Sequence, residues 1–202
     1  MGIDKNLLNQ NMLFDVSKPI KHITDFEPCD CSLSLKEIIV KSSNIGTAKI
    51  ANLIGKENQK FFFNAIGFDK PVDINLSEAT KPLGNKNNWG KIETMTIGFG
   101  HGFAITPMHL AVAYSTILND GKKKSPQIIL NDSNKKFEQI IKKETSEYIA
   151  SLLRAVIKES KFTGPRVKIK GYDIGGKTGT AELPGKNGRY NSDLNRTIFI
   201  GA

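Results

Sequence analysis

Two short clusters in this 202-residue chain combine residue types that handle protons and anions. The first is Lys177-Thr178-Gly179-Thr180. In an extended segment Thr178 and Thr180 share a face. Gly179 has no side chain, so a substrate backbone can approach and pair with the strand edge there. Lys177 offers a fixed positive charge to the anionic end of a substrate. An ordinary glycine-bearing edge strand also satisfies K-T-G alone, but the run from Gly171 to Glu182 is far more specific. The second cluster is Ser42-Ser43-Asn44. A serine hydroxyl at a helix start can relay a proton and donate to a carboxylate. The Asn44 amide both donates and accepts, so it can hold a lysine and a substrate carbonyl together. Ser and Asn also cap helices. What separates chemistry from capping is the order: Lys41-Ser42-Ser43-Asn44-Ile45-Gly46, an apolar helix, then K-T-G-T far downstream.

Neither cluster contains an evident attacking group. The one Ser-x-x-Lys in the chain, Ser133-Asn134-Lys135-Lys136, lies between the two clusters in a polar stretch after Asn131-Asp132. It opens no apolar helix and is a poor nucleophile. His101, within Gly98-Phe99-Gly100-His101-Gly102, has no partner in sequence for acid–base work. His109, just after Pro107, reads as a packing or surface residue. Cys29 and Cys31 are separated by one residue, a spacing at which a bridge is strained, so they are expected as free thiols. A zinc site would need two more ligands, and His22, His101 and His109 show no ligand spacing. No metal or cofactor is expected.

With these residues in view, Lys41 to Ala51, Gly98 to Gly121 and Gly171 to Ala202 resemble the transpeptidase domain of class B penicillin-binding proteins. The likeness is greatest to the division-associated septal peptidoglycan D,D-transpeptidases. It covers nearly the whole chain, and the segments come in the family's order. The resemblance implies an α+β fold of the penicillin-binding, serine β-lactamase-like class, with an antiparallel sheet against helices, incomplete at both ends. It implies serine acyl transfer: attack on the D-Ala-D-Ala end of a peptidoglycan stem peptide, release of D-Ala, and passage of the acyl group to another strand's amine. β-Lactams would mimic that substrate and inhibit. Carried over residue by residue, Ser42 would shuttle protons to the leaving amine. Asn44 would orient the substrate and the lysine of the missing Ser-x-x-Lys. Lys177 would support Ser42, Thr178 would bind the terminal carboxylate beside Gly179, and the Thr180 N–H would be half of the oxyanion hole. The whole chain, 1–202, reads as the C-terminal part of that domain, its nucleophile segment upstream, and as inactive alone. Membrane anchoring, a periplasmic catalytic domain at the bacterial inner membrane, and division-complex membrane proteins as partners are implied only by the resemblance. A serine β-lactamase or D,D-carboxypeptidase, or a non-catalytic β-lactam-binding scaffold, are the alternatives.

The elements that must position these residues are legible in part. Residues 1 to 31 are polar and irregular, with Pro19 and Pro28 as breakers and Phe14 to Ile23 extended. Ser34 with Glu37 forms a capping box ahead of Leu35, Ile38 and Ile39. A second helix starts at Ser43 or Asn44, buries Ile45, Ala48, Ile50, Ala51 and Ile54, and ends at Gly55. A third runs from Glu57 to Ile66 with Phe61, Phe62, Ala65 and Ile66 inside. Residues 68 to 93 read as a loop pinned by Trp89. Thr106-Pro107 starts a helix that stops at Asn119-Asp120-Gly121. Glu144 to Lys158 is amphipathic, with Ile149, Leu152, Leu153, Val156 and Ile157 as its stripe. Tyr172 to Ala181 and Thr197 to Ile200 read as strands joined by a loop from Pro184 to Asn195, the last strand stopping abruptly at Ala202.

The net charge of +9 admits an anionic polymer as partner. Lysines such as Lys122, Lys123, Lys124, Lys142 and Lys143 are not interleaved with aromatic residues for base stacking, so no nucleic-acid partner is expected. No apolar run approaches the ~18 residues of a membrane span.

Overall fold

The computed structural model describes residues 1–74, 76–84, 89–129, 137–160, 164–167, 169–184 and 190–202. The core begins in the segment with least regular structure. Strand β1 (Leu13–Asp15) pairs antiparallel with β2 (Ser32–Ser34). Leu8, Phe14, Val16 and Ile23 are buried in one cluster with Leu33, Leu35, Ile38, Ile45, Ala48 and Met95. The extension expected from Phe14 to Ile23 shrinks to β1 and an isolated bridge between Ile20 and Ile23. Pro19 has no N–H to continue a ladder. Cys29 and Cys31, expected as free thiols, form a disulfide. Their Cα atoms lie 5.3 Å apart, inside the span that a disulfide bridges.

Helix α1 (Leu35–Lys41) opens with the expected capping box. The Glu37 N–H donates to Ser34 Oγ, and the Ser34 N–H donates to the Glu37 carboxylate at 2.8 Å. Ser42 ends α1 in the left-handed region, and Ser43 caps α2 (Asn44–Ile54) by accepting the Gly46 N–H. Ile45, Ala48 and Ala51 are buried as expected, while Ile50 and Ile54 are half-buried. Helix α3 (Lys56–Ile66) ends at Gly67, at φ 94°. Phe61, expected inside, is 65% exposed. The buried face instead carries Gln59 and Ile66, and Phe63 packs edge-on against Phe68 and Trp89. Trp89 is buried, so it pins its loop as expected.

Helix α4 (Lys91–Gly98) falls where a loop running into a glycine-rich stretch was expected. Its start is marked by the Glu93 carboxylate, which accepts the Gly90 N–H at 3.0 Å. Gly98 is required by packing: a Cβ there would lie 2.5 Å from the Ala51 Cβ of α2. Strands β3 (Leu83–Gly84) and β4 (Phe103–Ala104) form a short antiparallel ladder. Helix α5 (Pro107–Leu118) starts on the expected Thr106 cap. His109 is a packing residue. It is buried, with Nε2 facing the Lys70 carbonyl at 3.0 Å and Nδ1 facing Thr106 Oγ1 at 2.7 Å. A carbonyl only accepts, so Nε2 carries the proton and Nδ1 accepts the Thr106 hydroxyl.

Strand β5 (Lys122–Lys123) pairs with β6 (Glu138–Gln139). Helix α6 (Lys143–Glu159) buries Leu152, Leu153, Val156 and Ile157 as its pattern dictates, with Ile149 half-buried. A Lys36–Glu159 ion pair of 2.6 Å links it to α1. The short helix α7 (Gly164–Val167) follows. Strand β7 (Gly176–Pro184) and strand β8 (Tyr190–Gly201) form the long antiparallel hairpin. Residues Tyr172 to Gly175, expected as strand, lie before it. β8 starts well before the expected Thr197, so much of the expected loop is hairpin. Residues 195–199 are exposed, and an arm facing water can form by cross-strand pairing without an apolar alternation. Helix α6 backs the start of β7, where a Gly175 Cβ would lie 3.2 Å from the Arg154 N and 3.3 Å from the Leu153 Cβ. The expected α+β class holds, with antiparallel pairs throughout the described residues.

Candidate active site

Ser42 occupies the elbow between two helices. Its φ of 58° and ψ of 44° lie in a region non-glycine residues seldom occupy. The elbow closes through the Ser42 and Ser43 N–H groups, which donate to the Ile39 and Ile38 carbonyls at 3.3 and 3.0 Å. The bend turns the Ser42 hydroxyl away from both helix axes and leaves the residue exposed.

Strand β7 supplies the other half. Lys177 Nζ donates to Ser42 Oγ at 2.9 Å and to the Thr178 carbonyl at 3.1 Å. The two residues are 135 apart in sequence, so only the tertiary fold brings them together. Lys177 is half-buried, and desolvation holds its ammonium below the ordinary lysine range. Thr178 and Thr180 are exposed further along β7, paired across the ladder with Phe199 and Thr197. Gly179 sits opposite Ile198, and a Cβ there would lie 3.2 Å from the Ile198 Cγ2. Among the described residues β7 has a strand on one edge alone.

Asn44 stands at the start of α2, where its Nδ2 donates to the Thr24 carbonyl at 3.0 Å. That bond orients the amide and keeps Oδ1 as the acceptor face. Behind it, Asp25 Oδ1 accepts the Ile45 N–H at 2.9 Å and Oδ2 accepts the Ser43 hydroxyl at 2.6 Å. Sequence reasoning missed Thr24 and Asp25. They lie in an irregular segment 18 to 20 residues before their partners, and no local pattern marks a contact at that separation. A cavity of about 140 Å³ opens beside Asp25, lined also by Lys41 and Ser43. The Ser133 motif lies outside the described residues. Among the described residues no three metal-ligating side chains gather, and no helix is long and apolar enough to cross a membrane.

The penicillin-binding protein transpeptidase domain, as a family, matches residues 1–202. This chain belongs to that family. Among its transpeptidase relatives, a probable peptidoglycan D,D-transpeptidase FtsI of Caulobacter vibrioides is 30% identical over 189 residues, 90% of this chain and 32% of the relative. The peptidoglycan D,D-transpeptidase FtsI of Escherichia coli K12 is 30% identical over 159 residues, 78% of this chain and 27% of the relative. The chain thus spans about a third or less of the length of these relatives. The apo transpeptidase domain of penicillin-binding protein 3 from Burkholderia pseudomallei superposes with a TM-score of 0.88 at 26% identity, over 99% of this chain and 62% of that one. Penicillin-binding protein 3 of Mycobacterium tuberculosis, in complex with aztreonam, shares the fold with a TM-score of 0.85 at 23% identity, over 98% of this chain and 49% of that one.

Proposed function

We propose that these residues carry the Ser-x-Asn and Lys-Thr-Gly sides of the acyl-transfer site of a septal peptidoglycan D,D-transpeptidase. The observation that carries the reading is the 2.9 Å contact between Lys177 Nζ and Ser42 Oγ. It joins the two motifs into one charged, proton-handling unit. The attacking serine belongs to a segment ahead of residue 1, since no Ser-x-x-Lys precedes Ser42 within the chain. Its oxygen adds to the penultimate D-Ala carbonyl. The terminal D-Ala leaves as its amine gains the proton that Ser42 relays, and an amine of a second strand then attacks the acyl carbon and frees the serine. Lys177 keeps the Ser42 region positive while charge develops. Asn44 Oδ1 accepts from the lysine of the nucleophile motif. Thr178 binds the terminal carboxylate. The open edge of β7 receives the peptide as an added strand, with Gly179 permitting close approach, and the Thr180 N–H stabilises the oxyanion.

β-Lactams occupy the same cleft as acylating mimics. The Cys29–Cys31 disulfide supports an oxidising compartment, as a periplasmic domain anchored at the inner membrane would have, and division-complex membrane proteins are the partners this reading expects. The test is labelling of the complete gene product with a fluorescent penicillin, followed by release over time. A long-lived adduct that Lys177→Ala abolishes is expected. Rapid hydrolysis of the adduct would make it a β-lactamase, and no adduct at all would make it a non-catalytic homologue.

A further inference from the structure

The elbow at Ser42 is strained in a specific way: a non-glycine residue in the left-handed region costs roughly 1–2 kcal/mol. Such a conformation persists where its surroundings over-determine it. Here the surroundings come from a separate segment. Asp25 grips the first turn of α2 with both carboxylate oxygens, one on the Ser43 hydroxyl at 2.6 Å and one on the Ile45 N–H at 2.9 Å. Ser43 Oγ in turn accepts the Gly46 N–H at 2.9 Å. The adjacent Thr24 carbonyl takes the Asn44 amide. Residues 24 and 25 therefore hold all three positions that follow Ser42, and a carboxylate at a helix N-terminus is favoured by the helix dipole as well.

We infer that Asp25 is a positioning residue of the acyl-transfer site, clamping the start of α2 so that the Ser42 hydroxyl meets Lys177. The inference rests on the proposed function for its chemistry, but its geometry does not. A carboxylate suits the task because it only accepts, and both groups facing it donate. An amide in its place keeps one acceptor oxygen for Ile45 but turns an NH2 towards a hydroxyl that already needs an acceptor. The clamp thus fails on one side with almost no change in shape.

The experiment compares Asp25→Asn, Asp25→Ala and the neighbouring Glu27→Gln in the complete gene product. Saturable acylation kinetics with a fluorescent penicillin are read well below each variant's melting temperature. Asp25→Asn is expected to slow the first-order acylation step roughly 10- to 100-fold, the cost of a misplaced group of about an ångström, while half-saturation stays near wild type. Glu27→Gln is expected to match wild type. Ser43→Ala combined with Asp25→Ala is expected to be no slower than the worse single variant, since both remove one bond. In selectively labelled protein, the Lys177 side-chain resonances, assigned by their loss in Lys177→Arg, are expected to move in Asp25→Asn. Wild-type acylation in folded Asp25→Asn, or an unmoved Lys177 signal, overturns the inference. If the wild-type product takes no penicillin, the proposed function falls, and the Lys177 resonance still decides the role of Asp25.

Discussion

A lysine ammonium drawn partly out of water loses hydration that a hydroxyl and one carbonyl replace only in part. Lys177 is in that position, with Ser42 Oγ and the Thr178 carbonyl as its acceptors. In the complete gene product Lys177→Ala should lower the second-order rate of penicillin acylation about 10²-fold or more, the scale of a donor used in the transition state. The melting temperature should change little. Lys177→Arg should recover part of the rate, because a planar fork does not replace a compact ammonium. A rate loss that tracks unfolding would remove Lys177 from the site. Burial lowers the Lys177 pKa, and this has a signed consequence. Below the lowered value the residue is charged in folded and unfolded chains alike, and its desolvation opposes folding in full. As pH rises from there towards the ordinary lysine value, the unfolded chain binds more protons, so this opposition is relieved and stability gains. Acylation needs the charge and should run the other way. Its alkaline limb should fall below the ordinary lysine range in a pH–rate profile, and Lys177→Arg should push that limb higher.

At the scale of elements, Gly98 and Ser34 give contrasting tests. Gly98→Ala places a methyl 2.5 Å from the Ala51 Cβ and must push α4 from α2, at about 1–3 kcal/mol in urea unfolding. Ser34→Ala removes one cap bond, at about 1 kcal/mol. Equal costs would mean that the two helices part easily. The caps at Ser34, Ser43 and Thr106 were legible because a cap is a local agreement between a side chain and an N–H two or three residues on. So was the stripe of α6, since its period is carried by the helix itself. α4 was hidden because glycines after it dominate the pattern, and its glycine cap has no side chain to announce it. Phe61 misled because the period of α3 is set by Gln59, Ile66 and the aromatic contacts of Phe63, which arrive from distant segments. At the candidate site the motif residues were legible as types in order. The left-handed turn at Ser42, the disulfide and the Asp25 clamp were not, because each depends on chain segments meeting in space.

For the whole molecule, the chemistry is split between a helix elbow near one end of the chain and a hairpin near the other. The 202 residues alone should acquire no covalent penicillin adduct by intact-mass spectrometry, since their lone Ser-x-x-Lys, at Ser133, lies downstream of Ser42. A stoichiometric adduct on Ser133 would overturn the assignment of the two motifs. Large apolar side chains stand in water at several places, Phe26 at 92% exposure and Leu83 at 74% among them.

The edge of β7 that stands without a strand partner among the described residues is open to more than a peptide substrate. Unpaired N–H and C=O groups along a strand do not discriminate between a stem peptide and the same strand of a second copy. The vacancy that catalysis requires is thus also a seed for edge-to-edge association and precipitation at high protein concentration. A short peptide or β-lactam seated on that edge should act as a solubilising agent, delaying light scattering in concentrated samples. No delay would locate the sticky surface elsewhere, with the exposed Phe26 and Leu83 as the next places to look.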